Sequence, residues 1–539
     1  MVDEPASIPP PATEQLALQL QTFLSDEPAA VLVENGRILF DLRQSHATVS
    51  AAHGTCVLHV WSEERDIVRN VVDITVRKVG LRLHVLRMGQ TKTQTIELQP
   101  QQRRLPSQRD ATRTRFIPLL ERMLPRYFPD CKVERLRTAM DLERSFGPAY
   151  ARGMLVRSSS GGNAAWAVIA INGEESQALI DGILTLGVLW LHHCREHSGG
   201  RRIMEGLKLI LPRGKSAVTA ERLAWMHPRA ATWELYELDE KTEDLYARET
   251  GGQGNIDFHL VHAPNPSAAE ERFGGAIQRV RALLPPDASS QIETVFRSGS
   301  EVGLLWNGLE FARVHASAAV NSFARSEEIL FGSGANATPL TEESAPKLRE
   351  LVAQLIFRRR ADGDKRDKLY RQQPERWLES MIRRAPDSVD SMIEPHPVYA
   401  QVPAFSAADR AVLDLLAVRR DGRLVVIEIK ADEDLHLALQ ALDYWARVRR
   451  LHRPAHSGGS APAESDLRRF GYFPGEQLRP EAPLLYLVAP ALRIHSATEI
   501  VLRYISPEVD WTLIAVDERW REKIRVVFRK RPEKLRTEV

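Results

Sequence analysis

Cysteine is scarce in this chain: three occur in 539 residues, Cys56, Cys131 and Cys194, with no CxxC pair among them. That spacing excludes a disulfide framework and a zinc ribbon, and it sets the expectation of a reducing, cytoplasmic setting. Long apolar runs are missing too. No stretch reaches the roughly 18 apolar residues that a membrane-spanning helix needs. The opening "MVDEPASIPPPATEQ" carries neither a basic n-region nor an apolar h-region, so no membrane partner is expected. Nor does either sign of charge prevail. Lys and Arg number 73 against 71 Asp and Glu, a net charge of +2, so any nucleic-acid contact must come from local clusters rather than a global basic footprint.

The chain does have length and hydrophobic content. At 539 residues and 43% hydrophobic composition it exceeds the roughly 250–300 residues at which one core stops growing, so several domains are expected. Residues 1–28 read as a disordered leader ending in a short amphipathic segment. Short alternating strands from "AVLVENGRILFDL" to "TQTIELQP" make 29–105 a β-rich module. From 112 the period becomes helical in "RTRFIPLLERMLPRYF" and then alternates with strands, which predicts an α/β domain over 112–262. Strand character returns in a second β-rich module over 285–338, and 340–530 is again α/β. The expected class is α/β and α+β multidomain.

The two α/β blocks share a spacing. Pro212 stands as far before Trp233 as Pro490 does before Trp511; Asp239 and Asp517 follow their tryptophans at equal distance, and each is followed by Glu. An internal duplication is the reading, by the logic used for shorter repeats.

In the second block, "DLLAVRRDGRLVVIEIK" predicts a hairpin closed at Asp421-Gly422. Alternate side chains share a face, so Glu428 and Lys430 point the same way, and the hairpin brings Asp414 opposite Glu428. One reading is an ordinary ion pair at a solvated strand end. The flanks, however, are apolar enough to bury the strand, and buried charges are costly unless paired or holding a metal. Two carboxylates in one place suit Mg2+ or Mn2+, which can polarise a phosphodiester while the lysine serves a water. The helix that follows presents Gln440 and Tyr444 one turn apart.

These residues resemble the core motif of the PD-(D/E)XK, restriction-endonuclease-like nuclease superfamily. Asp414, Glu428, Ile429 and Lys430 stand where that motif has its acids and lysine, and "QALDY" resembles the QxxxY helix of RecB-type and NucS-type members. The resemblance covers "DLLAVRRDGRLVVIEIK" and "DLHLALQALDY" and not the rest of the chain. It implies that Asp414 and Glu428 hold the metal with the Ile429 carbonyl, that Lys430 serves the water, that Gln440 orients the site and that Tyr444 touches the nucleic-acid backbone. Members also carry a Glu on the first helix of the domain. "PERWLES" offers Glu375 and Glu379, and the E-x-x-L relation favours Glu375, which the resemblance adds to the metal ligands.

Aligning "WAVIAIN" with "VVIEIK" puts Ala170 and Asn172 where Glu428 and Lys430 stand, and counting back gives Val156 for Asp414. The first block thus reads as a degenerate copy of a nuclease domain. The loop "HRPAHSGGSAPAESDLRRFGYFPGEQLRPEAP" reads as a lid over the site. The expectation is a Mg2+-dependent or Mn2+-dependent DNA endonuclease of repair or defence, for which a homodimer would suit duplex cleavage. The alternatives are a nucleic-acid-binding scaffold with a vestigial site and an RNA-cleaving defence nuclease.

Overall fold

The computed structural model describes residues 12–532 except 28–29, 35–36, 43–44, 53–54, 62–65, 78–79, 87–92, 101–107, 140–149, 160–161, 199–201, 251–257, 319–324, 333–336, 407–411 and 454–464. The chain is mixed α/β and divides into two compact units, residues 1–111 and 112–539. Among the described residues no helix is long and apolar enough to cross a membrane.

In the first unit, alternation makes strands: Leu81, Leu83 and Val85 of "LRLHVL" are buried while the residues between them are half-buried. Seven such strands form one sheet, antiparallel throughout. The helix Ala12–Asp26 lies within the stretch expected to be a disordered leader. Its Leu16, Ala17, Leu20, Phe23 and Leu24 recur at helical spacing and pack against the sheet, which orders these residues.

The second unit contains three sheets. In its first α/β copy the strands Lys132–Ala139, Tyr150–Ser159 and Gly162–Ile171 are antiparallel. The helix Gln177–His197 then crosses to Arg202–Pro212, the helix Ala217–Leu223 crosses to Thr232–Asp239, both returning parallel, and Asp244–Arg248 closes the edge antiparallel. The second copy repeats every step. Antiparallel Tyr399–Ser406, Val412–Val418 and Leu424–Ile429 lead through the helix Leu437–His452 to Leu484–Pro490, through Ser496–Arg503 to Trp511–Val516, and then to antiparallel Val526–Lys530.

Register agrees as well as order. Leu207 pairs with Trp233 and Pro212 with Leu238; Leu485 pairs with Trp511 and Pro490 with Val516. In the second copy the parallel strands Leu484–Pro490 and Trp511–Val516 are buried on both faces and therefore read as continuous apolar runs. Between the two sheets lies a shared helix layer, in which Gln177–His197 packs on Ser496–Arg503 and Leu437–His452 on Ala217–Leu223. One core runs through it, joining Ile169, Leu184 and Val188 of the first copy to Val426, Leu442 and Trp445 of the second. Each such buried side chain stabilises the fold by about 1.5–3 kcal/mol.

Two domain limits differ from the sequence expectation. The strand Phe258–Leu260, assigned above to the first copy, pairs with Tyr399–Ser406 at the edge of the second copy's sheet. The helix Ala345–Arg358, assigned to the nuclease domain, instead buries Leu348, Val352 and Leu355 in the core of the five-stranded module, as the helix Pro266–Ala282 does from the other side of the sequence. Local periodicity identifies a strand or helix but not the sheet it joins. Of the expected lid, residues 454–464 lie outside the described residues, while Tyr472 and Phe473 are buried in the shared core and so form part of the fold.

Candidate active site

Asp421-Gly422 closes the charged hairpin as its sequence requires. Gly422 has φ +85°, and a Cβ there would lie 2.3 Å from the Gln477 carbonyl oxygen, so only glycine fits. The register Leu415↔Ile427 places Asp414 opposite Glu428 one step further on. The Asp414 carboxylate accepts the Ile429 N–H at 2.9 Å. Ile427 and Ile429 face outward onto Trp377 and Leu378, whereas Glu428 takes the inner face.

There Glu428 is only 3% exposed, and among the described residues its Oε2 has no hydrogen-bond partner. Lys430 Nζ stands 3.4 Å from Glu428 Oε1 and 3.7 Å from Asp434 Oδ2. Burial, reinforced by the charge of Asp414, pushes the Glu428 carboxyl well above the usual carboxylate range. Burial also raises Asp414, against the pull of the Ile429 N–H and Lys430. For Lys430 burial acts downward, but the surrounding Glu428, Glu375, Asp434 and Asp414 outweigh it and hold the ammonium above its ordinary range.

Four acids around one ammonium are short of positive charge, and a buried carboxylate oxygen with no hydrogen-bond partner among the described residues fits a divalent cation. Among the described residues no three His, Cys, Asp or Glu side chains converge into a closed cage. A cation here would rest on Asp414 and Glu428 and keep several waters, the habit of Mg2+ rather than of structural zinc.

The helix Pro374–Arg384 brings both candidate glutamates to this edge. Burial raises the Glu375 carboxyl, with Lys430 opposing and Asp414 and Asp434 adding to the rise. Glu379, one turn on, accepts from Arg376 at 2.9 Å and Gln401 at 2.6 Å; burial lifts it to about 8. Glu375 is therefore the helix carboxylate nearer the lysine in its interactions.

That helix is clamped by the five-stranded module. Arg359, fully buried, donates to the carbonyls of Asn307, Leu369, Gln372 and Gln373 just ahead of it. Glu293 accepts from Ser380 and Arg383 on it. Gly308, at φ +76°, lies so close that a Cβ would fall 2.0 Å from the Arg376 carbonyl oxygen.

Gln440 and Tyr444 are half-buried, one turn apart, on the helix that covers the charged strand. Among the described residues no hydrogen bond joins the Gln440 side chain to Asp414, Glu428 or Lys430. Tyr444 packs against the shared core, with the Arg447 guanidinium 5.9 Å from its ring centre.

Two residues that sequence reasoning missed connect the site to the first copy. Asp434, four positions after Lys430, accepts the His436 N–H at 2.7 Å, and the His436 ring is 3.0 Å from the Thr185 hydroxyl of the first copy. The i, i+4 spacing of Lys430 and Asp434 was a visible signal; Thr185, 251 positions away from His436, gave none.

The first copy itself is in a different register from the one expected. Ile169 pairs with Leu209, three before Pro212, just as Glu428 pairs with Leu487, three before Pro490. Ile169 and Ile171 thus stand in the places of Glu428 and Lys430, rather than Ala170 and Asn172. Arg152, paired with Ile169, takes the place of Asp414, rather than Val156. An uncharged apolar strand carries no mark of register, which is why alignment by eye slipped. The Arg152 guanidinium lies 4.7 Å from the Trp190 ring centre. A hollow of about 480 Å3 on this copy, lined by Trp233, Tyr236 and Arg248 among others, lies apart from the carboxylates. No protein-family model and no curated protein matches the chain.

Proposed function

We propose that this chain is a metal-dependent phosphodiesterase of the restriction-endonuclease-like kind, a Mg2+-dependent or Mn2+-dependent DNA endonuclease of repair or defence, with its chemistry in the second α/β copy. The observation that carries the reading is the buried Glu428 in register with Asp414: among the described residues its Oε2 has no hydrogen-bond partner, while its Oε1 lies 3.4 Å from Lys430 Nζ. A purely structural ion pair would not need the second carboxylate, and burying two acids against one ammonium costs several kcal/mol.

A bound Mg2+ would neutralise the carboxylates, polarise the phosphodiester and lower the pKa of its water. The chain's own residues do the rest. Asp414, fixed by the Ile429 N–H, and Glu428 would hold the cation, joined by the Ile429 carbonyl as the resemblance implies. Lys430, held between Glu428 and Asp434, positions the attacking water and stabilises charge on the phosphate. Glu375 supplies a further acceptor at the lysine side. Gln440 would orient the site and Tyr444 would touch the nucleic-acid backbone, the roles that the resemblance implies. A binding scaffold with a vestigial site shares the fold but gives no role to these clustered acids.

The test is cleavage of a panel of single-stranded, duplex, branched and mismatched DNA, with RNA alongside, in Mg2+ or Mn2+. Wild type is expected to cut at least one DNA, and Lys430→Ala and Asp414→Ala, checked for folding by circular dichroism, to lose at least about a hundredfold in rate. Equal rates in all three proteins refute the assignment; cutting confined to RNA moves the substrate; tight binding without cutting favours the scaffold.

A further inference from the structure

The two α/β copies are placed as the halves of a symmetric dimer would be. The shared tryptophan spacing makes Met226 the counterpart of Tyr504 and His227 the counterpart of Ile505. Met226 bridges Ile505 antiparallel across the copies, and the His227 N–H donates to the Tyr504 carbonyl at 2.8 Å. Exchanging the copies turns one pair into the other, the signature of an isologous contact. The helix pairs obey the same exchange, since Gln177–His197 on Ser496–Arg503 becomes Leu437–His452 on Ala217–Leu223.

The contact is also tight. Arg222 of the first copy grips both Asp443 oxygens of the second at 2.9 and 2.7 Å, and Trp225 meets Trp445 edge to face at 5.0 Å. Symmetry ends at the chemistry: Arg152, Ile169 and Ile171 occupy the places of Asp414, Glu428 and Lys430.

We propose that the first copy fills the position a second subunit would take, so that one chain is a complete one-site enzyme that acts as a monomer and breaks a single strand of duplex DNA per encounter. This rests on the nuclease reading above and goes beyond it. The helix face through which one copy could recruit another is consumed within the chain. The first copy retains a structural task, because Thr185 holds His436, whose backbone holds Asp434, which flanks Lys430. One site attacks one phosphodiester; a double-strand break would need a second binding event.

Light scattering of the full chain should give the single-chain mass of 60.8 kDa. With supercoiled plasmid in excess over protein, open circles should accumulate before linear molecules. A tenfold excess of D414A should change the initial nicking rate per wild-type chain less than twofold, whereas an obligate two-chain enzyme would fall to about a tenth by random pairing. Linear DNA as the first product, or that tenfold fall, overturns the proposal. If no DNA is cut under any condition, the nuclease reading fails, and the measured mass still decides the internal dimer: twice the chain mass refutes it.

Discussion

Glu428→Ile replaces the buried carboxylate by the side chain that the molecule itself places at the equivalent register, Ile169, which is fully buried in the shared core. In wild type the Glu428 Oε2 is buried without a hydrogen-bond partner among the described residues, and burial beside Asp414 holds the group far above its ordinary pKa. Exchange of buried charge for a fitting apolar side chain stabilises by about 1–4 kcal/mol. Lys430 keeps Asp434 as a partner, so little is stranded. Without divalent metal, the variant should therefore unfold about 2 kcal/mol later than wild type, a few degrees in Tm. With Mn2+ at a hundred times its Kd, wild type should gain about 2.7 kcal/mol and the variant nothing. Calorimetry in EDTA and in Mn2+ reads all four values. A variant less stable than wild type in EDTA by more than about 1 kcal/mol would refute the claim that Lys430 compensates Glu428 only in part, and an undiminished Mn2+ shift would refute its role as a ligand.

Glu379 offers a pH test, since burial holds it at about 8 against an ordinary 4.5. The folded state keeps a proton that the unfolded state gives up, so this group's contribution is complete below pH 4.5 and lost as pH rises through 8. Glu379→Gln should remove a decline of at most about 1.4 kcal/mol per pH unit across that window, read as the difference in urea midpoints. Arg222→Ala strands Asp443 between the two copies and should cost about 3 kcal/mol, measured by urea unfolding, with Arg222→Lys recovering only part because the two-oxygen grip is lost. His436→Ala releases the Thr185 contact behind Asp434 and Lys430. The cleavage rate should fall about tenfold while the Mn2+ shift in Tm stays the same; a lost shift would mean that His436 supports metal binding instead.

Much of the second copy was legible because its chemistry and its turn leave marks. Asp421-Gly422 fixes the hairpin, and period-two alternation then puts Asp414 and Glu428 together. The Pro and Trp landmarks revealed the repeat, since they fall at matching strand pairs. What escaped depends on contacts far apart in the chain. Nothing local told Phe258–Leu260 to join the second sheet, or told Leu348 and Val352 to serve the five-stranded module. The strand Gly162–Ile171 lacked a charge to mark its register, so its correspondence to the charged strand slipped by one residue. The leader's short amphipathic segment was legible, but not that Leu16, Leu20 and Phe23 would dock it on the sheet.

The clamp on Pro374–Arg384 bears on how such a site can be moved or inherited. Cutting the gene at about 340 would leave Arg359 without Asn307, Ser380 and Arg383 without Glu293, and the sheet without its Phe258–Leu260 edge. Glu375 and Glu379 would then ride on a helix with no footing, beside strands that still carry Asp414 and Glu428. Recombination could exchange residues 112–539 as one piece, the interval that forms a compact unit, but no smaller cassette would transplant the site intact.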